Sequence, residues 1–155
     1  MVTDVDLLIV GAGPTGLYAA YYAGFRGMRV AIVDSLTEPG GQLMALYPEK
    51  PIYDVAGYPS VLARDLAQRL VEQASSADPT YLLGRRAQGL TRADDGTLVV
   101  QLDGDDEVHT KAVIISAGIG TFTPRALPGG EVFVGKGLRY VVTDLSALDD
   151  KHVLI

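Results

Sequence analysis

Leu7-Leu-Ile-Val-Gly-Ala-Gly-Pro-Thr-Gly-Leu17 decides the fold of this chain. Val5–Val10 is short and almost continuously apolar, the pattern of a strand buried on both faces of a parallel sheet. Gly11-Ala-Gly-Pro-Thr-Gly16 follows at once, and a helical stretch then runs from Leu17 to about Arg26. Pro14 suits the first helical position, where its missing N–H costs nothing. Ala19, Ala20 and Ala23 give the helix a small-residue face for close packing, and Gly24 and Gly27 bracket its end. A second strand, Arg29–Val33, leads to Asp34. The reading is a βαβ unit with a right-handed crossover.

Working outward, Ser35–Ser60 holds Pro39, Gly40, Gly41, Pro48, Pro51, Gly57 and Pro59, and a loop that long belongs to a site or a linker. Helical periodicity returns over Val61–Ala74, with Leu62, Leu66, Leu70 and Val71 on one stripe. From Thr80 the pattern shortens. Two Asp/Gly-rich turns separate Ala87–Arg92, Leu98–Leu102 and Glu107–His109, predicting a small antiparallel β-meander inserted into the α/β domain. Lys111–Ser116 reads as a return strand, and Lys151–Ile155 as the opening of a further buried one. The fold class is therefore α/β, a Rossmann-like domain with a parallel sheet plus the meander.

Composition bounds the chemistry. The 155 residues carry 13 basic and 19 acidic side chains, a net charge of −6, and 48% apolar residues, as in one ordinary globular domain. With no cysteine, a disulfide framework, thiolate metal sites and a Cys nucleophile are excluded for these residues. A sequence pI near 4.7 argues against a nucleic-acid partner. The N-terminus is acidic where a signal peptide is basic, and no apolar run approaches the roughly 20 residues of a membrane span. The expectation is a cytoplasmic protein with no membrane and no nucleic acid among its partners.

Gly11-x-Gly13-x-x-Gly16 is a weak motif in a glycine-rich chain until its setting is counted. It lies between a strand and a helix, with an acidic residue 23 positions after Gly11, close to the expected spacing of about 20. Gly11 permits the tight turn, Gly13 lets a pyrophosphate approach the backbone, and Gly16 lets helix pack on strand. The helix N-terminus offers free N–H groups to phosphates, and Thr15 adds a hydroxyl. Asp34 is placed for ribose hydroxyls, which favours FAD or NAD over NADP; its competing role is a turn cap. Gly40-Gly41-Gln42 again brings backbone to a ligand, or else forms a plain loop. Tyr47 and Tyr53 present rings to a flat cofactor or simply pack. Neither His109 nor His152 has an acid–base partner at recognisable spacing. No metal-ligand cluster and no catalytic triad stands out.

Beyond the glycine fingerprint, Gly40-Gly-Gln-Leu43, Ala45-Leu-Tyr-Pro-Glu-Lys50, Ile52-Tyr-Asp-Val-Ala-Gly57 and Ile114-Ile-Ser-Ala-Gly118 resemble one family. It is the thioredoxin-reductase-like class of ferredoxin–NADP reductases, homodimeric FAD enzymes. The resemblance implies that Gly11, Gly13, Pro14, Thr15 and Gly16 surround the FAD pyrophosphate and that Asp34, often Glu in the family, holds the adenosine ribose. Gly41, Gln42 and Tyr47 would follow the ribityl and flavin portion, Ala87 would meet the adenine through its backbone, and Phe122 would shield the flavin. It also implies an FAD-binding domain over residues 1–118 and a crossover with the start of a nicotinamide-nucleotide domain over 119–155. The family continues past that point with an NADPH-binding fingerprint, so the chain reads as truncated before the NADPH domain.

Four functions compete at this stage, the last of them a simple NAD dehydrogenase, against which the long Gly/Pro/Tyr loop after Asp34 argues. The first is the FAD-binding portion of an oxidoreductase passing electrons from NADPH through FAD to ferredoxin or flavodoxin, with no acid–base catalytic residue required. The second and third are a thioredoxin-reductase-type flavoprotein fragment and a non-catalytic FAD- or NAD-binding module. For ferredoxin docking, Arg64, Arg69, Arg85-Arg86 and Lys111 are the candidate cations, on a chain whose net charge gives them no support.

Overall fold

The structure is a computed structural model that describes residues 2–120, 124–142 and 144–155. Strand β1 (Val2–Val10) enters helix α1 (Pro14–Phe25), which returns into β2 (Val30–Asp34). A short helix α2 (Gln42–Ala45) and a two-residue pair, β3 (Pro51–Ile52) with β4 (Val61–Leu62), interrupt the long loop. Helix α3 (Ala63–Ser75) then leads to β5 (Thr80–Leu83), β6 (Ala87–Arg92), β7 (Leu98–Leu102) and β8 (Glu107–Ile115). One sheet of order β5-β2-β1-β8-β7-β6 holds all but β3 and β4. Its β5-β2-β1-β8 half is parallel and its β8-β7-β6 half antiparallel. The expected α/β class is borne out.

Two apolar clusters sandwich β1 and β2. Leu7 and Ile9 pack with Leu17, Ala20 and Ala23 of α1 and Ala74 of α3, while Leu8, Ala31 and Val33 pack with Val100, Leu102 and Val108. Side chains alternate along a strand, so burial on both faces is what makes Leu7–Val10 and Val30–Val33 read as unbroken apolar runs. A third cluster, Leu43, Ala63, Leu66 and Ala67, joins α2 to α3 beside the long loop.

Three expectations are corrected. The meander is continuous with the main sheet, because Glu107–His109 and the return strand form one strand. β8 pairs in parallel with β1 from Val2↔Glu107 to Val10↔Ile115, and its first residues also pair antiparallel with β7. Val61 and Leu62 lie outside α3: the extended backbone at Leu62 pairs with Pro51, so the helix starts at Ala63. Lys151–Ile155 forms no strand. No described strand pairs with it, and Leu154 and Ile155 are fully exposed. Residues 124–155 otherwise hold only two 3-10 turns, Glu131–Phe133 and Ser146–Leu148, and a single bridge from Val134 to Leu138, among the described residues.

The N-terminal part of the sheet is fastened by Asp6. Its carboxylate accepts from Lys111 Nζ at 2.8 Å and from the Arg29 N–H at 2.9 Å, tying β1 to β8 and to the residues before β2. The Lys111 hydrogen bond, then those from Arg29, hold this carboxyl well below its ordinary 3.8. A depressed folded value stabilises above the ordinary value, and that contribution is lost as pH falls through the folded value. Asp6→Asn is therefore expected to unfold at lower urea than the parent at pH 7. The gap between them should close as pH drops below 3.8. A gap unchanged down to pH 2 would show that Asp6 acts through packing and not through its charge.

Candidate functional site

The parallel strands end together, and their carboxyl ends open into a cleft of about 570 Å³. It lies where the chain turns in opposite directions from β1, to β2 on one side and to β8 on the other, the place where open α/β sheets bind ligands. Gly11, Gly13, Pro14 and Thr15 line it from the β1–α1 turn, and Asp34, Ser35 and Leu36 from the end of β2. Gly41, Gln42 and Tyr47 close it from α2, Arg85, Arg86 and Ala87 from the β5–β6 connection, and Ser116, Ala117, Gly118 and Gly120 from the end of β8.

The first turn of α1 is built without side-chain caps. Gly13 is the N-cap, makes no side-chain cap bond, and Pro14 opens the helix. The first N–H groups of a helix have no partner within it, so those of Thr15 and Gly16 are presented at the cleft end of α1. Gly11 has φ +109°, and an added Cβ would overlap the Ser116 carbonyl oxygen. At Gly16 an added Cβ would overlap the Gly11 carbonyl oxygen, so this glycine packs beneath the cleft and does not line it. Gly13 differs from both: nothing lies within 4 Å of the place its Cβ would take. The backbone there faces open space.

Asp34 fastens this turn from the side. Its Oδ2 accepts the Ala12 N–H at 2.7 Å and its Oδ1 the Leu36 N–H at 2.8 Å. Each oxygen keeps a second acceptor direction. The glycine pair after β2 completes the clasp, with the Gly40 N–H on the Ala12 carbonyl at 2.8 Å. Gly41, at φ +59°, approaches so closely that a Cβ would stand 2.9 Å from the Gly13 Cα. The Gln42 side chain then crosses to the far wall, where its Nε2 would lie 2.8 Å from a Cβ at Gly118. The Tyr47 hydroxyl reaches Gln42 Oε1 at 3.5 Å, Lys50 Nζ lies 5.2 Å over its ring, and the ring also packs against the third apolar cluster.

Of the residues expected at a cofactor, the structure thus brings Gly11, Gly13, Pro14, Thr15, Asp34, Gly41, Gln42, Tyr47 and Ala87 to one cleft, with Gly16 below it. Phe122 lies outside the described residues. Sequence reading gave no site role to Ser116–Gly118 or to Leu36. A glycine shortly after an apolar strand run, as at Gly118, is the available sign. The candidate docking cations are largely engaged within the chain: Lys111 with Asp6, Arg64 with Glu49 and Asp65, Arg85 with Asp103 and Asp106, and Arg69 over the Tyr58 ring. Tyr18, Tyr21 and Phe25 touch one another along α1, away from the cleft. His109 meets Glu107 at 2.8 Å at the opposite end of β8.

Sheet order, switch-point cleft and paired glycine loops define a Rossmann-like dinucleotide domain, with α1 and α3 on one face of the parallel strands and the meander on the other. The family model described as pyridine nucleotide-disulphide oxidoreductase matches residues 5–153. The chain belongs to that family. A protein named ferredoxin–NADP reductase from Nocardioides sp. is 59% identical, over 98% of this chain and 47% of its own length. Another of that name, from Saccharopolyspora erythraea, is 54% identical over 98% of this chain and 46% of its own. The crystal structure of T. acidophilum thioredoxin reductase superposes with a TM-score of 0.68 at 31% identity, over 86% of this chain and 41% of that one. The chain spans about half the length of the curated relatives it matches.

The Gly11 contact sets a stability test. A side chain there meets both a positive φ and the Ser116 carbonyl, so Gly11→Ala is expected to cost about 3 kcal/mol. The loss should appear in thermal or urea unfolding without any ligand. A variant as stable as the parent would mean that the β1 and β8 ends are not held this close in solution.

Proposed function

We propose that this chain is the FAD-binding portion of a flavoprotein oxidoreductase that passes electrons from NADPH to ferredoxin or flavodoxin. One observation carries the reading: an uncapped helix N-terminus and the open face of Gly13 lie in the same cleft as Asp34 and the second glycine loop. Uncapped N–H groups at a positive dipole end suit a pyrophosphate, and a carboxylate one strand away suits ribose hydroxyls. The residues present fit FAD on these grounds. When bound, FAD supplies the capacity to take a hydride and to release its electrons singly.

In this reading the backbone of Gly11–Gly16 binds the diphosphate and Asp34 the adenosine ribose. Ala87 meets the adenine, and Gly41, Gln42 and Tyr47 orient the ribityl and flavin end, where Phe122 is also assigned. Residues 1–118 form the FAD-binding domain and 119–155 the crossover toward a nicotinamide-nucleotide domain. The whole protein is a cytoplasmic homodimer that uses NADPH as co-substrate. No helix among the described residues is long and apolar enough to cross a membrane. The relatives' name supports ferredoxin as acceptor. The likeness to a thioredoxin reductase structure supports the second reading, a thioredoxin-type reductase.

The test is the visible spectrum of the purified protein, with the released cofactor identified by chromatography after heat denaturation. The expected result is a flavin spectrum and FAD. A colourless protein that also fails to bind added FAD overturns the reading. Gly13→Ala fills the open face and is expected to weaken FAD at least ten-fold, a loss of about 1.4 kcal/mol, with the unfolding midpoint little changed.

A further inference from the structure

The cleft wall beyond Asp34 is the β5–β6 connection, Gly84-Arg85-Arg86, which is tied down from two sides. On one side the Gly84 N–H donates to the Leu36 carbonyl at 2.8 Å and the Arg85 N–H to the Asp34 carbonyl at 2.9 Å. On the other, the Arg86 N–H donates to Asp103 Oδ1 at 3.0 Å, and the Asp103 N–H returns to the Arg86 carbonyl at 2.9 Å. The Arg85 side chain locks this second side. Its Nη2 donates to the Asp103 carbonyl at 2.7 Å and pairs with the Asp106 carboxylate, while Nε lies 3.2 Å from Asp103 Oδ1. One nitrogen, Nη2, thus bonds two acceptors of one turn, while Nε stands at ion-pair distance from a third without a hydrogen bond.

That turn is strongly acidic. Asp103-Gly104-Asp105-Asp106 places three carboxylates within four residues between β7 and β8. Like charges so close repel, and the guanidinium offsets them while setting the turn against the cleft wall. Arg85 also stands between two spaces: it lines the cleft on one side and, on the other, a cavity of about 220 Å³ beside Leu82, Leu102 and Glu107.

We propose that Arg85 is a positioning residue for the nucleoside end of the cleft, holding Arg86 and Ala87 at a fixed distance from Asp34 so that the slot between them receives an adenosine moiety. This rests on the reading that FAD occupies the cleft. Lysine is an imperfect substitute, because a compact ammonium on a flexible stem lacks the planar group set between Asp103 and Asp106.

The test uses the purified protein, with FAD affinity read from flavin fluorescence, ADP affinity from displacement of FAD, and amide hydrogen exchange followed residue by residue. Arg85→Ala is expected to weaken FAD and ADP by the same factor, roughly ten-fold. Exchange at the Arg86 amide should quicken about ten-fold or more, while Leu8 and Ile32 in the central strands hold their rates. Arg85→Lys should fall between parent and Arg85→Ala. Affinities within about two-fold of the parent overturn the inference, and so does exchange that quickens equally at Leu8, Ile32 and Arg86, the mark of general destabilisation. Should Arg85→Ala not fold, Asp106→Asn removes one partner of the guanidinium and is read by the same criteria, with a smaller loss expected. A parent protein that binds neither FAD nor ADP overturns the reading of the cleft itself, whereas a binding parent with an unaffected variant overturns only the role of Arg85.

Discussion

Three backbone segments meet at van der Waals distance where β1 ends, and the rest of the structure depends on that meeting. Gly11 lies against the Ser116 carbonyl, and Gly16 lies against the Gly11 carbonyl, so strand, helix and neighbouring strand share one point with no side chain between them. Ser116 reinforces the contact. Its N–H donates to the Val10 carbonyl at 2.8 Å, and its hydroxyl lies 3.2 Å from that same carbonyl and 3.3 Å from that of Gly11. A Cβ at either glycine pushes α1 off the sheet or β8 away from β1. The cleft exists because this vertex is closed: it fixes the direction in which α1 points its N-terminus and the gap between the ends of β2 and β8.

The second glycine loop is built on the first. Gly40 donates to Ala12 and Gly41 rests on Gly13, while Asp34 holds the opposite side of Ala12 through its N–H. Ala12 is thereby bonded through both its N–H and its carbonyl and is fully buried, so the turn is set by three separate parts of the chain. Asp34 works first as a strut for this turn, and the acceptor directions left on its oxygens are what remain for a ligand. The two roles weighed for it in the sequence, cap and ribose acceptor, are compatible because a carboxylate has capacity for both.

Legibility in the sequence follows how local the cause is. The β1–α1–β2 unit was readable because burial, helix entry and turn chemistry all lie within one stretch of about thirty residues. The start of α3 is not legible because Val61 and Leu62 carry helical periodicity, while pairing with Ile52 and Pro51 holds them extended. β8 was split in two because its early residues alternate, as a half-buried antiparallel strand does, and its later ones are a continuous apolar run. Both patterns are correct for one strand that changes neighbours along its length. Lys151–Ile155 is apolar enough for a strand, but a strand also needs a neighbour, which periodicity cannot report. In the cleft, glycines and Asp34 were legible by spacing. The roles of Arg85 and Ser116 were not, since each depends on which turn the fold brings opposite it.

An acidic chain proposed to receive a doubly anionic diphosphate poses an electrostatic question that net charge does not answer. Potential at a site falls off with distance and screening, so the groups within a few ångströms decide it. Around the glycine turn those groups are backbone N–H donors, the positive end of α1, which carries no side-chain cap, and the Asp34 carboxylate bonded to the Ala12 N–H. Other acidic residues are disposed elsewhere or spent. Asp6 is held by Lys111 and Arg29 in the N-terminal half of β1, Asp103 and Asp106 by Arg85, and Glu49 by Arg64. Asp34 is the carboxylate among the cleft residues, and it reaches from the end of β2 to the Ala12 N–H just before the helix, where that bond meets part of its charge. On the proposed reading the arrangement divides two recognition tasks: fixed dipoles for the charge, and a tethered carboxylate for the sugar.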